Sequence, residues 1–298
     1  MPKIKAASIL ITSFAILFLL GSAMSQSTAK AQSLLTRHYK EGQILTYIMQ
    51  GSNAGWNYEI TANGTVKKDV NGKFTEEYAW SDLKSNAPMT LNQQSLNFRQ
   101  VLSLDPAVPP SIPDLSKVQT YLIGPITDLL TVYSDLWLAA RQSMLTHAGD
   151  HAYVKLGTPA SWADGNYVIL GEDSIDFDFL LEAVDDTGHT ATLLARHVPP
   201  QSPQVKLPAA WMQAHIADTA NNWVEVKKEN NGKYDAEVGK ETFDVEIKIS
   251  LEDGRILSAT IDNPVKAIKR ECTDAALTTC TDAEPIEIRR QIELRLIP

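Results

Sequence analysis

The chain has 298 residues, 44% of them hydrophobic and 21% charged, with a formal net charge of −9. That balance supports a buried core and excludes a chain disordered by composition. No Lys/Arg run exceeds two residues, which excludes the basic footprint of a nucleic-acid binder.

The first residues read as a secretory signal. Lys3 and Lys5 supply a positive start, Ala6 to Leu20 is an apolar run, and small residues follow at Gly21-Ser22-Ala23 and Ala29-Lys30-Ala31. Two cleavage points fit, after Ala23 or after Ala31. The rival is an uncleaved anchor, since the run approaches the ~17-residue lower limit for a membrane span. No Cys stands near either point to carry a lipid. Removing the segment (1–31) leaves about 270 residues, expected to form one β-rich domain over 32–298 with no stable membrane span.

From Gly42 to Leu83 the pattern is strands and turns. Ile44 to Met49 is apolar on both faces, as in a strand covered on both sides. Asn63-Gly64 and Asn71-Gly72 read as two-residue hairpin turns, which divides the region into Trp56–Ala62, Thr65–Asp69 and Lys73–Leu83. Asn63-Gly64-Thr65 also fits a glycosylation sequon. Four prolines between Pro106 and Pro113 form a rigid connector.

Asp114 can cap a short turn through Leu122, interrupted at Gly124-Pro125, with Pro125 opening a long helix to Thr146. Ile126, Leu129, Leu130, Tyr133, Leu136, Trp137, Ala140 and Met144 follow at helical spacing, and Val132, Leu138 and Ala139 make the other face apolar too. A helix apolar nearly all round is expected to be buried. Strands resume at Tyr153 and continue through Tyr167–Leu170, Ser174–Leu181, Ala191–His197, Trp223–Lys228, Lys233–Val238, Phe243–Leu251, Ile256–Asp262, Val265–Glu271 and Ile286–Ile297. Val66 to Phe74 and Val226 to Tyr234 echo one another around Asn-Gly, and hairpin chemistry accounts for that better than duplication. The expected fold is α+β: a strongly curved, mostly antiparallel, half-barrel-like sheet wrapped around the helix at 125–146.

No nucleotide-binding glycine pattern, P-loop or nucleophile elbow is present, so no cofactor is expected. Cys272 and Cys280 are the only cysteines, and in an exported chain they read as a disulfide stapling a loop, worth on the order of 2–3 kcal/mol. His147, Asp150 and His151 form a candidate metal set, weakened by Gly149 between them. Asp176 and Asp178 fall on one face of a strand as a candidate acid pair, or as an ordinary solvent-facing alternation. Tyr133 and Trp137 on the helix, with Trp162 in the loop Ser161 to Gly165, are the candidate ligand-binding aromatics.

The stretches Ser103-Leu-Asp105-Pro106, Ile112-Pro113-Asp114-Leu-Ser-Lys117 and Ile123-Gly124-Pro125-Ile-Thr-Asp128-Leu-Leu130 resemble segments of uncharacterised exported bacterial proteins. Gly239 to Ile247 and the cysteine pair are similar to them too. The resemblance implies export and brings no activity or functional residues. Many strands around one helix also resemble, in architecture alone, the half-barrels of periplasmic lipoprotein carriers. The leading expectation is therefore a non-enzymatic periplasmic or secreted protein binding a lipid, another apolar small molecule or an envelope partner. The alternatives are a secreted hydrolase or metal-dependent enzyme, and a structural or interaction domain without a pocket.

Overall fold

The computed structural model describes residues 34–53, 55–116, 118–157, 161–164, 167–200 and 205–298, of which 161–164 and Tyr167 by backbone alone. The signal-like segment 1–31 lies outside the described residues. Strands β1 (Ile44–Asn53), β2 (Trp56–Lys68) and β3 (Phe74–Ser85) form a meander, followed by the short helix α1 (Gln93–Asn97) and β4 (Arg99–Ser103). Helix α2 (Thr120–Ala140) then leads to β5 (His151–Gly157), β6 (Ser161–Asp164), β7 (Tyr167–Gly171), β8 (Ser174–Asp185) and β9 (Thr190–Val198). A 3-10 turn at Ala210–His215 precedes β10 (Asn221–Lys228), β11 (Tyr234–Glu241), β12 (Phe243–Ser250), β13 (Ile256–Cys272) and β14 (Glu284–Ile297). The fold is a mostly antiparallel sheet with few helices, and the sheet does not close on itself.

The sheet runs β4-β3-β2-β1-β14-β13 and then divides. Strands β12 and β11 lie in line against β13, β12 facing Ile256–Asp262 and β11 facing Val265–Cys272. Their outer edges have different neighbours, since β9 and β8 and β5 extend from β12, whereas β10, β7 and β6 extend from β11. The division falls at Thr242, opposite Asn263-Pro264 in the middle of β13. A proline has no N–H to give to a ladder, and it sits where the lateral partner of β13 changes. The two strands expected at Ile256–Asp262 and Val265–Glu271 are thus one.

Two other expectations are corrected. Asn63-Gly64 is not a turn but the middle of β2, where Gly64 faces Leu45 and Tyr78 in register. A Cβ on Gly64 would stand 2.4 Å from the Tyr78 ring, so glycine is there to admit the aromatic. The Asn71-Gly72 and Asn231-Gly232 hairpins share one geometry, but only the glycines take positive φ, at 78° and 81°. In each, Asp69 or Glu229 N–H donates to the carbonyl four residues on (2.8 Å), which makes a longer loop than the two-residue turn expected.

The long apolar helix expected at 125–146 is also corrected. Helix α2 starts at Thr120, carries Pro125 inside it and stops at Ala140. Its buried residues include Thr127, Asp128, Ser134 and Asp135 beside the aliphatic ones, so its buried surface is not purely apolar. Asp114 instead organises a local turn by accepting the Ser116 N–H at 3.0 Å. Among the described residues no helix is long and apolar enough to cross a membrane.

Two hydrophobic cores result. The larger joins α2 to the strands of the meander and of the β12 arm, with Leu122, Ile126, Leu129, Leu136, Phe179 and Val245 all fully buried. The smaller lies on the β11 arm around Met212, Val224, Val238, Cys272 and Leu277. Cys272 and Cys280 are disulfide-bonded, and the loop they close delivers Leu277 into that smaller core, where its carbonyl accepts Trp211 Nε1–H at 3.2 Å.

Candidate functional site

The sheet division opens a cleft between the end of β9 and the start of β10, walled on one side by α2. Its cavity measures about 50 Å³ and is lined by Thr131, Asp135, His197, Asn221, Trp223, Glu241, Phe243, Asn263 and Arg290, among others. Each strand contributes a residue because the alternation that buries Val245 and Ile247 on β12 also turns Phe243 inward at its first position. On α2, Asp128 and Asp135 stand seven residues apart, two turns along the same face.

Both acids are buried and both are paired. Asp128 Oδ1 accepts from the Arg290 guanidinium at 2.5 Å, in a pair almost wholly removed from solvent. Burial nevertheless holds the Asp128 carboxyl above its ordinary range, against the pull of Arg290. Asp135 bonds His197 Nε2 at 3.0 Å. The His197 ring stacks on Phe243, with centroids 4.6 Å apart, and meets Phe177 edge-on. Such pairs are costly to break singly, because the remaining partner is left buried and charged.

The other polar groups of the cleft are not balanced. Asn263 is fully buried, and its Nδ2 donates to Glu241 Oε2 (3.0 Å) and to the Thr242 carbonyl (2.8 Å). A carbonyl can only accept, so the amide orientation is fixed and Oδ1 points away from these partners. Asn221 Nδ2 likewise donates to the His197 carbonyl (3.0 Å), bridging the division between β9 and β10. Both amide oxygens lie within the protein and accept no hydrogen bond from the described residues. Burial pushes the Glu241 carboxyl up, opposed by the Asn263 hydrogen bond and by Arg290 and His197. Glu172, by contrast, accepts from Asn222 (3.2 Å), whose amide is fully used by Ala217 and Ala220.

The aromatics and acids singled out from the sequence lie elsewhere. Tyr133 belongs to a closed cluster in the larger core: its hydroxyl meets that of Tyr78 (2.5 Å), and Tyr78 donates to Glu76 (2.9 Å). Glu76 accepts from Arg37 (2.6 Å), whose guanidinium lies over the rings of Tyr39 and Tyr133. Trp137 gives its indole N–H to the Pro106 carbonyl (3.1 Å) and is covered by Arg141, so the proline connector occupies it. Trp162 stands on β6 opposite Ile169 rather than in a loop, and its side chain lies outside the described residues.

Asp150 accepts the backbone N–H groups of Thr146 (2.8 Å) and His147 (2.7 Å), which lowers its carboxyl below the ordinary range and makes it the organiser of a turn. His147 is exposed, 3.7 Å from that carboxylate. His151 instead pairs with Asp178 (3.1 Å), across β5 and β8, while Asp176 does not join them. Among the described residues no group of three His, Cys, Asp or Glu side chains converges to hold a metal.

A second, wider depression of about 930 Å³ lies beside β14, where Lys84 pairs with Glu59, Arg289 with Asp262 and Glu293 with Arg295. The cleft residues His197, Glu241, Asn263 and Arg290 were not singled out from the sequence. The signal that points to them is the pair Asp128 and Asp135 on α2, since a buried acid demands a partner. Neither protein-family models, curated protein sequences nor solved structures match this chain.

Proposed function

We propose that this is an exported, non-enzymatic binding protein whose ligand enters the polar cleft at the sheet division. One observation carries the reading: the cleft gathers buried amide oxygens with no protein donor beside acids held in a low-polarity wall. Buried polar groups are ordinarily satisfied, and groups left unpaired in a concave site suit an incoming partner. Export is supported by the signal-like pattern of 1–31 and by the disulfide, a bond characteristic of oxidising compartments. A catalytic reading has less support: His197 and Asp135 form a dyad, but among the described residues no hydroxyl or thiol hydrogen-bonds to His197.

The apolar-ligand reading treats the ten strands from β4 to β5 as a curved half-barrel around α2, supported by their shared core. A lipid there needs the place that α2 fills, and both buried pairs of α2 would have to break. The polar cleft is therefore the better-supported site. A thermal-shift screen of small amines, alcohols, carboxylates and sugars at millimolar concentration tests this, run on the native chain and on Thr131→Trp, which fills the cleft from α2. The expected result is one chemical class that raises Tm in the native chain and not in the variant. Equal shifts in both, or stoichiometric acyl lipid in mass spectra of the purified protein, would overturn the proposal.

A further inference from the structure

We infer that the group bound in this cleft is the ammonium head of a small primary amine; the inference rests on the cleft being the ligand site and adds its chemistry. The unmet capacity of the two cleft amides is one-sided. Asn263 Oδ1 and Asn221 Oδ1 both accept and cannot donate in their fixed orientations. The strong donor nearby, the Arg290 guanidinium, gives Nη2 to Asp128 Oδ1, while its buried Nε donates to no atom among the described residues. At the two amides an anion or a neutral acceptor would meet oxygen atoms, whereas an ammonium brings three N–H donors and no acceptor.

The charge points the same way. Asp128, Asp135, Glu172 and Glu241 border the cleft and its neighbouring pairs, against Arg290 and His197. A cation beside Glu241 would relieve the burial that pushes its carboxyl up, and charge-assisted bonds are the stronger kind. Trp223 supplies an aromatic wall, packed close against Gly239, where a Cβ would come within 2.2 Å of the ring, while Phe243 already carries Arg290 over its ring and His197 stacked on it. Aromatic faces attract desolvated cations. The cavity of about 50 Å³ holds a few heavy atoms, enough for a head group and its first methylenes.

The test uses propylammonium chloride, 1-propanol, sodium propionate and potassium chloride at matched ionic strength and pH 7.5. Calorimetry and tryptophan emission are read on the full chain, with Trp223→Phe as the emission control. Propylammonium is expected to bind alone among the four, and Glu241→Gln, with its fold checked by circular dichroism, is expected to weaken it about tenfold. Binding of propanol or propionate that Thr131→Trp abolishes would overturn the ammonium inference and keep the site. Potassium binding as well as propylammonium would overturn it in favour of a simple monovalent-cation site. Silence from all four probes, with Thr131→Trp without effect, would remove both the inference and the site beneath it.

Discussion

Two buried polar clusters sit in this molecule, and they are built on opposite rules. In the cluster of Arg37, Glu76, Tyr39, Tyr78 and Tyr133, no buried side-chain donor or acceptor is left without a partner, and the guanidinium is stacked as well as paired. In the cleft at the sheet division, both acids of α2 are paired, but two buried amide oxygens and Arg290 Nε meet no hydrogen-bond partner among the described residues, and Glu241, raised by burial, accepts from Asn263. The first cluster clamps residues 37–39 and the start of the chain's described part onto β3 and α2. The second keeps capacity in reserve. A saturated network rigidifies a core, and an unsaturated one leaves an uncompensated cost in the fold.

The largest expected effect separates the two clusters by pH. Tyr39, Tyr47, Tyr78 and Tyr133 are all held above their ordinary value, by burial first and by the Glu76 charge as well. A raised folded value means that the folded state keeps its proton where the unfolded chain loses it. Stability is then complete below about pH 10 and falls as pH rises beyond it, on the order of 1 kcal/mol per pH unit for each tyrosine. Phenolate absorbance near 295 nm should therefore appear together with loss of the far-ultraviolet circular dichroism signal, not before it. Early ionisation with the fold intact would show that the cluster is open to solvent.

Next in size is Arg37→Met. It leaves Glu76, which is fully buried, without its cation, and breaking a buried pair from one side costs about 3–5 kcal/mol. Urea denaturation at pH 7.5 measures it, and a loss below 1 kcal/mol would mean that the pair is not desolvated as its geometry indicates. A third contrast uses two glycines. A Cβ at Gly64 meets both the Tyr78 ring and the Leu45 carbonyl at 2.8 Å, and backbone cannot step aside, so Gly64→Ala should cost about 1–3 kcal/mol. The three atoms nearest a Cβ at Gly239 all belong to the Trp223 side chain, which is half-buried at the cleft and, unlike backbone, can change rotamer. Gly239→Ala should cost less and shift tryptophan emission instead; the reverse order of stabilities would refute the contrast.

Much of the sheet is legible in the sequence because its signals are local. Phe243, Val245, Ile247 and Ile249 alternate with charged residues, and that run is β12 with Phe243, Val245, Ile247 and Ile249 buried. Two cysteines eight apart in a turn-rich segment gave the disulfide for the same reason. What a local pattern cannot hold is a choice made across the sheet. Asn63-Gly64 has the chemistry of a turn and becomes strand because Tyr78 needs the space above a glycine. The division at Thr242 depends on which strands β11 and β12 meet, and only Pro264 hints at it. The cleft is hidden more deeply: Asp135 finds His197 62 residues away, and Asp128 finds Arg290 162 residues away. The two acids were visible in the sequence of α2 as charges among aliphatic residues, but nothing local names their partners.

The smallest expected effect sharpens the comparison most, because one substitution should act with opposite sign in the two clusters. Glu241 is raised by burial, so the folded state binds its proton more tightly than the unfolded chain does. Its share of stability is whole below about pH 4, the ordinary carboxyl value, and is lost as pH rises through the folded value. At pH 7.5 the ionised group therefore penalises the fold, and Glu241→Gln should stabilise it, by about 1 kcal/mol or less. The difference from the native chain should vanish near pH 4, where both side chains are neutral. Glu76→Gln makes the same chemical change in the saturated cluster, yet there it strips Arg37 of its anion and should destabilise by about 3 kcal/mol. Urea denaturation of both variants at the two pH values reads the signs directly. If Glu241→Gln also destabilises at pH 7.5, Glu241 has a partner that balances it, and the surplus of acceptors that distinguishes the cleft from the closed cluster does not exist.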